Sequence, residues 1–118
     1  MIDLPSYIKL YEQGIIEDRL EEILTRAAPC MLCPRQCMAD RISGDTGYCR
    51  APYGLFLSSA SPHFGEEPPL VGTHGSGTIF LTHCNLRCCF CQNYEISIRG
   101  EGMSLSAAAL SDVMMDLQ

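Results

Sequence analysis

The chain has 118 residues, a formal net charge of −6 and an apolar share of 47%, as expected for about one globular domain rather than a disordered chain. This acidic balance provides no positively charged surface for nucleic acid or anionic lipid, so we expect neither as a partner. The first 22 residues carry many acids and no apolar core, and no stretch approaches the roughly 20 apolar residues of a membrane span, so neither a secretory signal nor a membrane anchor is expected.

The eight cysteines are the unusual feature of the composition. Such a content is typical either of a small secreted protein held by disulfides or of an intracellular protein that binds metal or iron–sulfur clusters. Because no secretory signal is expected, we predict a cytoplasmic protein whose clustered thiols are ligands. A secreted disulfide domain is the alternative, and a titration that finds all thiols blocked would favour it.

Residues 1–50 are predicted to form a helical and cysteine-rich region. Two short helices are expected, over Ser6–Gln13 and Ile16–Ala28, separated by Gly14 at a position that suits the residue after a helix end. Pro29 closes the second helix, and a cysteine-rich loop follows.

Residues 51–76 are predicted to connect this region to the rest of the chain. Leu55–Ala60 is expected to be a strand. His63–Pro69 is expected to be irregular, because two prolines interrupt both strand ladders and helices.

Residues 77–118 are predicted to form a strand, a cysteine motif and a helix. Thr78–Thr82 is a short apolar run bounded by turn signals, as expected for a buried parallel strand. Leu105–Gln118 is predicted to be a helix with Ser104 as its N-cap.

Directly after the predicted strand, Cys84, Cys88 and Cys91 form the spacing C-x3-C-x2-C. A [4Fe–4S] cluster normally takes four cysteine ligands, so three from one loop would leave one iron open, and open metal positions generally serve chemistry. The alternatives are a zinc knuckle or a set of small buried apolar residues. The motif suits a closed zinc site poorly, because no fourth cysteine or histidine lies downstream. His83 could be a fourth ligand, although a continuing strand would point it away from Cys84.

A second group of cysteines lies upstream, where Cys30, Cys33, Cys37 and Cys49 form C-x2-C-x3-C-x11-C. Four thiols with one long gap suit a closed site that holds either zinc or an auxiliary iron–sulfur cluster. The alternatives are that these cysteines are reduced structural thiols, or that some of them alone bind metal.

Residues 77–97, which contain the three-cysteine motif, resemble the radical S-adenosylmethionine (SAM) superfamily, and within it the pyruvate formate-lyase activating enzyme-like group. Residues 30–37, the Gly-Tyr-Cys sequence at 47–49 and the His-Phe-Gly-Glu-Glu-Pro-Pro sequence at 63–69 are similar to the N-terminal region of the same group. The similarity therefore covers nearly the whole chain.

The resemblance implies a site and a chemistry. Cys84, Cys88 and Cys91 would hold a [4Fe–4S] cluster, SAM would bind at its open iron, and Phe90 would lie beside the SAM adenine. Reductive cleavage of SAM would give a 5′-deoxyadenosyl radical that abstracts hydrogen, which needs a reductant such as flavodoxin or ferredoxin and a protein or small-molecule substrate. Cys89 falls at a variable position and is expected to be a packing residue, whereas His83 stands where many members have glycine.

The resemblance also implies an α/β fold, with N-terminal helices and a cysteine-rich loop followed by the first strand–helix unit of a partial (βα)6 barrel. At about 30 residues a unit, such a core needs roughly 190 residues. Residues 77–118 are too few for it, so the chain is expected to be a fragment that is inactive alone. A non-catalytic iron–sulfur or zinc module, for electron transfer or structure, is the alternative function.

Overall fold

The computed structural model describes residues 5–118, which divide into two compact units, the first ending at Tyr48 and the second beginning at Cys49. The first unit contains α1 (Ser6–Glu12) and α2 (Ile15–Thr25). The second contains β1 (Leu55–His63), α3 (Pro68–Val71), β2 (Ser76–Leu81), α4 (Tyr94–Ser97), β3 (Met103–Leu105) and α5 (Ala107–Asp116). Across residues 5–118, none of the helices combines the length and the apolar character that crossing a lipid bilayer requires.

The two predicted N-terminal helices are confirmed, and Gly14 separates them. Its φ of 71° lies in the left-handed region that glycine adopts without strain, and its N–H donates to the Tyr11 carbonyl at 2.9 Å. Helix α2 ends at Thr25, three residues before the predicted end, because Ala27 pairs with Cys30 in an isolated antiparallel bridge.

The second unit is built on a three-stranded antiparallel sheet with the order β2-β1-β3. Leu57 in the central strand lies opposite Leu81 of β2 and opposite Met103 of β3. The side chain of Leu57 is buried, with 9% of its surface exposed, and this residue forms the apolar centre of the sheet.

The predicted fold class, the start of a partial (βα)6 barrel, is therefore wrong. The apolar run predicted as a buried parallel strand is an antiparallel edge strand, and its Phe80 and Leu81 side chains are exposed. A short apolar run bounded by glycines has the same pattern in both settings, so the sequence could not separate a barrel strand from an edge strand.

The predicted irregular stretch, His63–Pro69, is confirmed over residues 64–67 and wrong at its two ends. Strand β1 continues to His63, and Pro62 pairs with Gly77 of β2 on one side, where β3 does not reach. Pro68 and Pro69 begin the one-turn helix α3, because a first-turn residue needs no N–H for an intrahelical bond.

The C-terminal helix is confirmed, but its cap lies two residues beyond the predicted one. Ser104 is in β3, opposite Phe56. Ser106 caps α5, and its Oγ accepts a hydrogen bond from the Ala109 N–H at 3.1 Å.

Candidate functional site

The C-x3-C-x2-C motif lies on an irregular loop between β2 and α4, which we call the motif loop (residues 84–93). Two backbone hydrogen bonds hold the residues just before it. The Thr82 N–H donates to the Phe56 carbonyl at 2.9 Å, and the His83 N–H donates to the Ile96 carbonyl at 2.9 Å. The second of these bonds joins the two ends of the loop. The loop therefore projects from a fixed base formed by the sheet and α4.

Each of the three motif cysteines is half-buried, so their sulfurs lie near the surface and outside the core. The Leu86 N–H donates to Cys84 Sγ at 3.4 Å, and the Cys91 N–H donates to the Cys88 carbonyl at 3.3 Å. Cys91 Sγ also lies 3.0 Å from the Ser97 hydroxyl of α4. In residues 5–118, none of the eight cysteines forms a disulfide.

The donor set fits an iron–sulfur cluster in its chemistry, since three soft thiol ligands share one loop and one sulfur already accepts a backbone N–H. The three sulfurs are not yet gathered around a common centre. Within the described part of the chain, no three His, Cys, Asp or Glu side chains are arranged to hold a metal ion. The loop thus offers three thiols, and holding one cluster would require their side chains to converge.

His83 and Arg87 have unusual backbone conformations, with φ values of 67° and 54° in the left-handed region. His83 directly precedes Cys84, and Arg87 directly precedes Cys88. A non-glycine residue in this region costs about 1–3 kcal/mol, and such residues concentrate at ligand-binding sites. Two of the three motif cysteines therefore follow a sharp change of chain direction.

The His83 side chain is directed toward Thr82 and Gly100. Its Nδ1 lies 2.8 Å from the Thr82 hydroxyl, and a Cβ on Gly100 would lie 2.5 Å from its Nε2. Desolvation by burial lowers the pKa of His83, which favours the neutral ring. The ring does not join the motif cysteines in a ligand group of the described chain.

Next to the thiols, the Phe90 side chain is 82% exposed, and Leu86 and Cys89 are also exposed. A large aromatic ring that is almost fully exposed gains nothing from the protein core. The Phe90 ring is therefore open to contact from outside the chain's own core.

Among the upstream cysteines, Cys30 is buried in the first unit. Cys30 is 2% exposed, its N–H donates to the Ala39 carbonyl at 2.9 Å, and its carbonyl accepts the Met38 N–H at 3.1 Å. Arg41, 8% exposed, donates from Nε to Cys30 Sγ at 2.9 Å. The buried centre of this unit thus contains Ala27 together with a thiol that accepts a hydrogen bond from a guanidinium. No residue of α1 or α2 is buried.

Cys37 lies beside this pair. Hydrogen bonds from the backbone N–H groups of Ala39 and Tyr48 are the main causes that lower the pKa of the Cys37 thiol to about 7, and the Cys30 side chain and the Arg41 charge act in the same direction. Gly47, with φ of 58°, leaves the room for this arrangement, since a Cβ there would lie 2.5 Å from Cys37 Sγ.

The structure therefore brings together two of the four upstream cysteines, Cys30 and Cys37. Cys33 is half-buried in the same unit, whereas Cys49 is the first residue of the second unit. The zinc or auxiliary cluster predicted for the four stays a prediction.

Three positions beside cysteine sulfur lie outside the sites predicted from the sequence. The side chains of Arg41 and Ser97 contact cysteine sulfur, and a Cβ on Gly47 would lie 2.5 Å from Cys37 Sγ. Gly47 could be identified as a turn residue, but its closeness to Cys37 is a tertiary contact. Arg41 and Ser97 carry no sequence signal, because each reaches its cysteine only through the folded backbone.

We expect alkylation of Cys37 to depend on pH with a midpoint near its pKa of about 7. The thiolate is the reactive form, so the rate with iodoacetamide should rise through this pH and level off above it. The rate is measured by mass spectrometry of the tryptic peptide 36–41, with a free cysteine peptide of ordinary pKa, about 8.5, as the control. A midpoint equal to that of the control peptide would contradict the geometry around Cys37.

No protein-family model matches the chain, and no solved structure matches it. The chain is similar to MJ0674, an uncharacterized protein of Methanocaldococcus jannaschii, with 40% identity over 68 residues. The match covers 58% of this chain and 19% of that protein, so the chain spans a minor part of the relative's length.

Proposed function

We propose that Cys84, Cys88 and Cys91 bind a [4Fe–4S] cluster with one iron open to SAM, and that the chain belongs to a radical SAM enzyme of the activating-enzyme-like type. The observation that carries the proposal is the loop itself: three half-buried thiols at C-x3-C-x2-C spacing, two of them directly after a left-handed residue. The site is proposed on these residues independently of any barrel.

The base of the loop supports this function because it is held by hydrogen bonds while the thiols are left near the surface. The His83 N–H bond to Ile96 fixes the point at which the loop leaves the sheet. The left-handed turn at His83 also suits the resemblance, since glycine, which many members have here, adopts this conformation most easily. The three cysteine side chains then need to rotate toward one centre.

Phe90 and Ser97 have distinct proposed roles in this site. The exposed ring of Phe90 stacks against the adenine of SAM, which shields one face of the nucleotide from water. The Ser97 hydroxyl, 3.0 Å from Cys91 Sγ, hydrogen-bonds the third ligand and orients it. When bound, the cluster supplies the one-electron reduction that cleaves SAM to a 5′-deoxyadenosyl radical.

The proposal includes partners and a compartment. A reductant such as flavodoxin or ferredoxin delivers the electron, and a protein or small molecule donates the hydrogen atom. Reduced thiol ligands need a reducing environment, so we place the protein in the cytoplasm.

Electron paramagnetic resonance of the anaerobically reconstituted and reduced protein tests this function. We expect a [4Fe–4S] signal that changes on adding SAM, because SAM binds directly to the open iron. The Cys89→Ala variant is the matched control and should show the same change. A signal that SAM leaves unaltered would indicate a non-catalytic electron carrier, and zinc in place of iron would contradict the cluster altogether.

A further inference from the structure

Cys30 and Cys37 form a thiol pair whose backbone is fixed. Hydrogen bonds on both sides of Cys30 hold it opposite Met38 and Ala39, and Cys37 is the residue immediately before Met38. The two side chains are hydrogen-bonded to each other. A disulfide forms only between residues whose Cα atoms are close, and the backbone bonds at Met38 and Ala39 hold Cys37 in the segment next to Cys30.

The two thiols differ in exposure and surroundings. Cys30 is 2% exposed, and its sulfur accepts a hydrogen bond from Arg41 Nε at 2.9 Å. Cys37 is half-buried, and its sulfur receives the backbone N–H groups of Ala39 and Tyr48. An external molecule can therefore reach the Cys37 sulfur, whereas the buried Cys30 sulfur is accessible to neighbouring protein groups and not to external molecules.

We propose that Cys37 and Cys30 are a dithiol–disulfide pair that reacts with low-molecular-weight disulfides, with Cys37 as the attacking thiol and Cys30 as the resolving thiol. This role is independent of the cluster proposed on the motif loop. It gives the upstream cysteines a redox function that needs no bound metal.

The reaction proceeds by two exchanges, and oxidised glutathione serves as the oxidant. In the first, the Cys37 thiolate attacks one sulfur of glutathione disulfide, whose S–S bond breaks, and one glutathione leaves and takes up a proton. In the second, Cys30 attacks Cys37 Sγ, the bond from Cys37 to glutathione breaks, and the Cys30 proton passes to the departing glutathione thiolate. Two protein thiols are oxidised to one disulfide, and one glutathione disulfide is reduced to two thiols.

Arg41 assists the second exchange. Its guanidinium already donates to Cys30 Sγ, the atom that carries negative charge as it attacks. The hydrogen bond stabilises that charge inside a buried site, where water cannot. Gly47 contributes by leaving space beside Cys37 Sγ, where any Cβ would be within 2.5 Å.

Treatment of the reduced, chelator-washed 118-residue chain with oxidised glutathione tests the pair. After acid quenching, alkylation and trypsin, Cys30 lies on peptide 27–35 and Cys37 on peptide 36–41, so their disulfide links two separate peptides. We expect this link in the wild-type chain and in the Cys33→Ser control, which leaves Cys30 as the single thiol of peptide 27–35. Cys30→Ser should stop at a glutathione adduct on Cys37, and Cys37→Ser should lose both products.

Other outcomes would overturn the proposal. Loss of the link in Cys33→Ser would mean that Cys33, and not Cys30, is the partner. A glutathione adduct that persists on Cys37 in the wild-type chain would show that Cys30 does not resolve it. Zinc or iron bound to the purified chain and lost in Cys30→Ser would assign these thiols to a metal instead.

Discussion

Replacing Cys88 with alanine should abolish cluster binding, whereas replacing its neighbour Cys89 with alanine should leave it intact. Cys88 occupies the middle position of C-x3-C-x2-C and follows the left-handed Arg87, whereas Cys89 is exposed and outside the spacing. Loss of a residue that merely supports a metal ligand costs about 10–100-fold in affinity, so loss of a ligand should cost at least that much. We expect Cys88→Ala to retain less than about a tenth of the wild-type iron after anaerobic reconstitution.

Iron content and the brown absorbance of the reconstituted protein measure this effect. Cys84→Ala and Cys91→Ala should behave like Cys88→Ala, because all three thiols are needed to hold one face of the cluster. Equal loss of iron in Cys88→Ala and Cys89→Ala would show that the adjacent pair has been assigned in the wrong order. Full iron content in all of the variants would remove the basis for the proposed enzyme.

Replacing Gly102 with alanine should destabilise the sheet by about 3 kcal/mol or more, at the upper end of overpacking effects. A Cβ at this position would lie 2.6 Å from the Leu57 carbonyl oxygen and 2.5 Å from Thr82 Cγ2. The carbonyl belongs to the central strand and cannot move without disturbing the β1–β3 pairing at Leu57 and Met103. Denaturant unfolding followed by circular dichroism gives the loss in free energy of unfolding.

Gly72→Ala is the matched control for this variant. Gly72 has φ of 51°, and a Cβ added there would meet no other atom within 4 Å. Its ψ of −134° lies outside the left-handed helical region, in a conformation that residues other than glycine rarely adopt. Alanine at this position therefore costs backbone strain alone, about 1–3 kcal/mol. A smaller loss for Gly102→Ala than for Gly72→Ala would mean that β3 does not lie against β1. That result would contradict the strand order of the second unit.

Three helices, α1, α2 and α5, could be predicted because their signals are local, whereas the one-turn helices α3 and α4 could not. The apolar spacing of α2 and the glycine between α1 and α2 act within a few residues, and both helices are found where they were expected. Strand β2 could also be predicted as an element, but its direction could not. Whether a strand pairs parallel or antiparallel depends on its partner, and the register of Leu57 with Leu81 is a contact between distant residues.

The same distinction applies to the candidate site. The motif cysteines could be identified because their spacing is a pattern within a few residues of the sequence. The hydrogen bond from Arg41 to Cys30 spans eleven residues, and the closeness of Gly47 to Cys37 spans ten, so neither has a local pattern. Which thiols meet is decided by the backbone pairing at Met38 and Ala39, which composition and spacing do not encode.

The position of Leu57 makes the β1–β2 pairing and the β1–β3 pairing depend on each other. One buried side chain lies opposite β2 on one side and opposite β3 on the other, so separating either edge strand exposes the apolar contact that the remaining edge uses. Strands β2 and β3 therefore cannot separate from β1 independently at the position of Leu57. We expect the sheet to open and close as a single cooperative element that is centred on the buried Leu57 side chain.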